Sequence, residues 1–162
     1  MKKTAIFSEN RTYRYILERE WDATVPKIMF IGTSPSTGDE FVNSAEEEHY
    51  IDFAKKWGHG GIVVTNLFAA FSLNDMFLTD PVGPENDYYI KLKDMEVAQT
   101  VCAWGMEAHN AKEFKDRIRQ VMAIITDPFC LAFNGRTGPM TFKDIPGSIE
   151  PYTVSYWSDT QS

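Results

Sequence analysis

Cysteine is scarce in this chain. The 162 residues hold only Cys102 and Cys130, each inside an apolar run, Val101-Cys102-Ala103-Trp104 and Phe129-Cys130-Leu131. Free cysteines in such company behave as small buried hydrophobes, so a reducing, cytoplasmic setting is expected rather than a disulfide framework. Histidine is almost as rare, with His49, His59 and His109, and neither they nor the cysteines stand at metal-ligand spacing, so no metal is expected. No stretch approaches the roughly 20 uninterrupted apolar residues of a membrane helix, and Met1-Lys2-Lys3-Thr4 opens no signal-peptide core, so no membrane association is expected. Positive charge is also in deficit: 16 Lys and Arg face 23 Asp and Glu, a formal net charge of −7. A field of that sign repels a phosphate backbone, and no basic patch opposes it, so general nucleic-acid binding is disfavoured while a small ligand or a basic protein partner stays open.

The familiar catalytic signatures are missing too. The loop from Gly32 to Gly38 is not a phosphate-binding P-loop, because its second glycine precedes Asp39 rather than Lys-Ser/Thr, and no G-x-G-x-x-G follows any strand. Nucleoside triphosphate hydrolysis is therefore not expected, nor is a cofactor. Ser34, Ser36 and Ser44 lack the G-x-S-x-G elbow of a serine nucleophile.

What is present is a balance of 43% apolar and 24% charged residues, that of one globular domain over residues 1–162, with a core at about 11–145 and a frayed tail from Ser158 to Ser162. Thr12 to Leu17 reads as an opening strand of a hairpin, and Lys27 to Ile31, ended by Gly32, as a strand buried on both faces. Ser44 with Glu47 forms a capping box for a helix carrying Tyr50, Phe53, Ala54 and Trp57, stopped by Gly58, Gly60 and Gly61. Ile62 to Asn66 is the next strand, Ser72 with Asp75 caps a short turn, and Pro84 suits the first turn of a helix with Tyr88, Leu92 and Met95. A strand at Thr100 to Trp104, a long helix opened by Asn110 and Glu113, and a strand at Phe129 to Phe133 complete the series. Strands alternating with helices imply an α/β fold: a mostly parallel central sheet covered on both faces.

In such sheets ligands bind beyond the carboxyl ends of the strands. Those ends carry polar and aromatic groups, and Ser34, Ser36, Thr37, Asp39, Asn66, Phe68 and Trp104 are expected to line one concavity. Each also has a local alternative, since Ser, Thr, Asn and Asp cap helices and shape turns. Asn86-Asp87, costly in a first helical turn, suggests a ligand or local structural role. The run Glu46-Glu47-Glu48 reads as a solvated first turn complementing the helix dipole.

The ordered segments Arg14-Tyr15 with Trp21-Asp22, Met29-Phe30-Ile31-Gly32 then Ser34-Pro35-Ser36-Thr37-Gly38-Asp39, Phe53-Ala54 with Trp57-Gly58, Thr65 to Ala69, Pro81 to Gly83 with Asn86-Asp87, and Ala103-Trp104-Gly105 resemble the uncharacterised bacterial and phage domain family numbered 1643, from about residue 11 to 135. That family's Asn-Pro-Ser-Thr loop and late His-Pro motif in turn look like the two active-site motifs of the uracil-DNA glycosylase superfamily, which implies a three-layer α/β/α fold and a nucleobase-sized pocket. The chain departs from the family where chemistry would sit. Ser34 replaces Asn, Phe71 replaces Arg, Glu46, Glu48 and His49 stand where the family has Thr and two Arg, and Thr137 to Lys143 replaces the His-Pro-Leu-Tyr motif. A scaffold kept while such groups are lost implies binding without turnover. Three readings stay open: a protein holding a nucleotide, nucleoside or modified base, such as a phage-type sequestering protein; an N-glycosidic-bond hydrolase with Asp39 positioning water and Asn66 and Asn86 holding substrate; and an acidic, phage-type protein inhibitor whose surface around Glu46 to Glu48 engages a basic partner.

Overall fold

A computed structural model describes residues 1–71, 79–141, 144 and 152–157. Its centre is an eight-stranded sheet built from β1 (Lys2–Phe7), β2 (Arg14–Glu20), β3 (Ile28–Gly32), β4 (Gly61–Asn66), β5 (Gln99–Cys102), β6 (Pro128–Phe133), β7 (Arg136–Gly138) and β8 (Thr153–Tyr156). The order is β1-β2-β4-β3-β5-β6-β7, with β8 paired to β6. Among the described residues four α-helices accompany it: α1 (Ala45–Lys56), α2 (Asn86–Glu96), α3 (Met106–Asn110) and α4 (Lys115–Ile124).

The sheet is mixed, not mostly parallel. Pairs β3–β4, β3–β5 and β5–β6 are parallel, whereas β1–β2, β2–β4, β6–β7 and β6–β8 are antiparallel. Connection length explains the difference. Strands β3 to β6 are joined by segments containing helices, long enough to return the chain in the same direction, while β1–β2 and β6–β7 are joined by short turns that reverse it. Neither β1 nor β8 carries the apolar alternation that reveals a strand in sequence: β1 is mostly exposed, and the two half-buried residues of β8, Val154 and Ser155, are adjacent. The sheet consequently extends past residues 11–145 at both ends of the chain. The expected cap at Ser72 and Asp75 and the tail from Ser158 lie outside the described residues.

Alternate residues of the central strands feed two apolar clusters. Ile28, Phe30, Ile62 and Val64 join Tyr50, Phe53 and Ala54 of α1, while Met29, Ile31 and Val63 join Ile90 of α2 and Ile118 and Val121 of α4. Period-two alternation thus sends even-numbered residues of β3 and β4 toward α1 and odd-numbered ones toward α2 and α4. The Ser44–Glu47 capping box forms as the sequence predicts. The expected long helix from Asn110 does not. Asn110 closes the five-residue α3, a 3-10 turn spans Lys112–Phe114, and α4 begins at Lys115. Cys102 and Cys130 are both free and buried, and burial pushes the Cys130 thiol up to about 11. Among the described residues no helix is long and apolar enough to cross a membrane, and no cluster of three metal-binding side chains exists.

Candidate functional site

Strand β3 lies between β4 and β5, and the loops leaving β3 and β5 lead to opposite faces of the sheet, one into α1 and the other into α3 and α4. A crevice opens where two such loops part. A cleft of about 750 Å³ lies there, walled on one side by residues 33–37 and the start of α1, and on the other by residues 103–108 and the 3-10 turn. That volume suits a small organic ligand of nucleoside size. Thr33 Oγ1 donates to the Trp104 carbonyl and ties the two loops together at the cleft base.

The loop after β3 is held from beneath by a buried cation. Arg14 Nη1 donates to the carbonyls of Ser36 and Gly38, at 3.3 and 2.8 Å, and to Ser36 Oγ at 3.2 Å. It lies 4.0 Å from Glu47 Oε1, and both side chains are fully buried. Burial pulls the guanidinium below its ordinary range, and Glu47 and Glu46 push it back up. Ser36 Oγ completes the knot by donating to Glu47 at 2.8 Å. Gly38 is required here, since a Cβ on it would sit 1.6 Å from Glu47 Oε1. Glu46, Glu47 and Glu48 therefore do not form a solvated first turn: the capping box and Arg14 draw Glu47 inside, Glu46 lines the cleft, and only Glu48 is exposed.

Beside this knot is a polar group with no partner. Asn66 ends β4, is 1% exposed, and neither its Nδ2 nor its Oδ1 makes a hydrogen bond. A buried carboxamide in that condition costs about 1–3 kcal/mol relative to a paired one. Asn66 is register partner to Gly32 of β3. The Asn66 amide and the Glu46 carboxylate both pack against the bare Cα of Gly32: a Cβ there would lie 2.9 Å from Asn66 Nδ2 and 3.4 Å from Oε1 of Glu46, which itself lines the cleft. Glu46 is itself oriented by Tyr50, whose hydroxyl donates to Oε1 at 2.9 Å. Burial first and the neighbouring Glu46 charge second hold the Tyr50 phenol well above its usual range, so it remains a donor.

Four of the sequence-predicted residues, Ser34, Ser36, Thr37 and Trp104, share the cleft lining, and Asn66 lies behind it against Gly32. The other four lie off the lining. Asp39 turns its carboxylate into its own loop, accepting from the Phe41 and Val42 amides at 2.8 Å each, and these bonds hold its carboxyl below the usual range. Phe68 is buried with its ring 5.1 Å from that of Phe114, which does line the cleft. Asn86 Nδ2 donates to the Asn66 carbonyl at 2.9 Å, and Asp87 accepts from Arg117 Nη2 at 2.6 Å while Arg117 Nε donates to the Leu67 carbonyl. This pair braces the turn after β4 from behind. Residues that the sequence did not single out as binding groups are Glu46, Glu107, Glu113, Phe114 and Asp144 on the walls and Arg14 beneath.

No curated protein and no solved structure matches the chain at a significant level. A family model described as a protein of unknown function, DUF1643, matches residues 14–137. The matched span runs from Arg14 under the site, through the loop after β3 and the turn after β4, to the hairpin of β6 and β7, and the chain belongs to this family.

Proposed function

We propose that the protein binds a nucleobase-bearing small molecule in the cleft between the β3 and β5 loops and does not turn it over. The carrying observation is Asn66: a 99% buried carboxamide with both polar atoms unpartnered, packed behind the cleft against Gly32, with the cleft-lining Glu46 on the same glycine. One donor next to one acceptor matches the adjacent carbonyl and N–H, or ring nitrogen and amine, on a base edge. Helices on both faces of the sheet are in keeping with the uracil-DNA-glycosylase-like layering that the sequence suggested, which favours a pocket of base size.

The reading without turnover rests on the position of Asp39 and on the replacement of the family's groups at Ser34, Phe71 and residues 137–143. General acid–base catalysis needs a group within reach of the reacting atoms. Asp39, the carboxylate that the hydrolase reading relies on, is held by two amides of its own loop. The inhibitor reading is less supported, because Glu47 is buried and Glu46 faces the cleft, leaving little acidic surface at that turn. Thermal melting and calorimetry with a panel of nucleosides and bases provide the test, with chromatography of the same mixtures. Expected are a raised Tm and one-to-one binding in the wild type, no consumption of ligand, and loss of binding in Asn66→Leu. Multiple turnovers of any nucleoside would overturn the reading in favour of the enzyme, and undiminished binding by Asn66→Leu would overturn the role given to Asn66.

A further inference from the structure

The cleft in front of Asn66 has an unusual charge for a nucleotide site. Its walls carry Glu46, Glu107, Glu113 and Asp144, and no lysine, arginine or histidine among the described residues. Lys112 and Lys115 flank Glu113 in sequence but lie off the lining, and Arg14 beneath the loop is faced by Glu47. Phosphates in α/β proteins are ordinarily received at helix N-termini. Here the chain's own carboxylates occupy those positions. Glu46, Glu47 and Glu48 fill the first turn of α1, and the backbone amide that opens α3, Met106 N, donates to Asp144 Oδ2 at 3.2 Å, with the Thr141 amide on the same oxygen at 3.1 Å. A phosphoryl group entering the cleft would meet carboxylates where it needs donors.

The same walls suit a cation. Trp104 and Phe114 supply aromatic surface, and a positively charged ring against an aromatic side chain and a partly exposed carboxylate gains from both. Trp104 is fixed in place, its indole N–H donating to His109 Nδ1 at 3.3 Å and its ring 6.0 Å from that of Trp157.

We propose that the ligand is a phosphate-free, positively charged nitrogen heterocycle of the class of N-alkylated nucleobases and their nucleosides, its ring against Trp104 and Phe114, its charge met by the wall carboxylates and its edge read by Asn66. This rests on the base-binding reading above and narrows it. The cation–aromatic and carboxylate contributions together predict that the alkylated form binds about five- to thirtyfold more tightly than its neutral parent.

The test is calorimetry of the full chain at neutral pH and low salt with two pairs of probes, 1-methyladenosine against adenosine and 3-methylcytidine against cytidine, and with the 5′-monophosphate of whichever binds best. Expected are tighter binding of the methylated member of at least one pair, weaker binding of the monophosphate, and a smaller methylated-to-parent ratio in the Glu107→Gln, Glu113→Gln double variant, whose Tm reports its folding. Equal or tighter binding of the neutral parents, or a gain from the phosphate, would overturn the cationic assignment while leaving the base-binding reading standing. Binding of no member of either pair, nor of any neutral base, would remove both.

Discussion

Asn66 is a residue whose cost and use separate cleanly. An unpaired buried amide is an expense to the fold, and replacing it with an apolar side chain of similar size removes that expense without leaving a large void. Asn66→Leu should therefore melt within a few degrees of the wild type or above it, corresponding to a change of about 1 kcal/mol or less, while losing ligand binding. Chemical denaturation alongside calorimetry checks both halves; a large loss of stability would show that the amide has a structural partner after all. Asp39 behaves oppositely. Its folded carboxyl lies below its unfolded value because the Phe41 and Val42 amides donate to the anion, so its contribution to the loop is present above the unfolded value and is lost as pH falls through the folded one. Amide NMR should show the Phe41 and Val42 resonances moving together below about pH 4. If they titrate with the midpoint of a free aspartate, the two bonds are not held in solution. At this scale the sequence disclosed residue types but not their surroundings. Ser34, Ser36, Thr37 and Trp104 could be placed because each ends or follows a strand, whereas the seclusion of Asn66 depends on Gly32 lying beside it across β3 and β4, a pairing between residues 34 positions apart.

At the scale of elements, the turn after β4 is held by side chains from two helices. Arg117 of α4 donates through Nε to the Leu67 carbonyl at 2.7 Å and through Nη2 to Asp87 of α2, and it is 5% exposed. The Asp87 side chain is half exposed, which limits the worth of the ion pair itself to about 1 kcal/mol or less. Arg117→Ala should therefore cost about 1–3 kcal/mol, for the buried carbonyl bond and the lost packing of the long side chain, while Asp87→Ala should cost less than half as much. Denaturation midpoints of the two variants decide this, and equal losses would mean that the ion pair, not the carbonyl bond, carries the brace. Capping chemistry made α1 legible because the Ser44–Glu47 box is local. The same signature at Asn110 and Glu113 misled, because Ala111 takes an extended conformation (φ −74°, ψ 122°) and divides the helical region into α3, a 3-10 turn and α4. That break puts Glu113 and Phe114 on the cleft wall, so the departure from a continuous helix is itself part of the site.

At the scale of the whole molecule, the candidate cleft lies at the point where the sheet reverses direction of winding. Parallel β3, β4, β5 and β6 were readable from short apolar runs between helical segments, and their order around β3 fixes where the cleft must lie. Antiparallel β1, β2, β7 and β8 extend that core on both sides; β2 was legible from its alternation as a hairpin strand, whereas β1, β7 and β8 are set by turns and by edges that no periodicity announces. A net charge of −7 spread over the chain becomes specific only once the fold brings Glu46, Glu107, Glu113 and Asp144 to one opening. The central claim is that a base-bearing ligand enters this opening and meets the Asn66 carboxamide. It is tested most directly by amide NMR of the assigned protein during titration with the tightest-binding nucleoside. The account predicts that the Asn66 side-chain NH₂ pair shifts strongly together with the Ser34, Ser36 and Thr37 amides and the Trp104 indole, while Lys27, Lys93 and Val97 at the opposite end of the sheet stay still. Shifts centred on that opposite end, or a ligand that saturates without moving the Asn66 side chain, would contradict it.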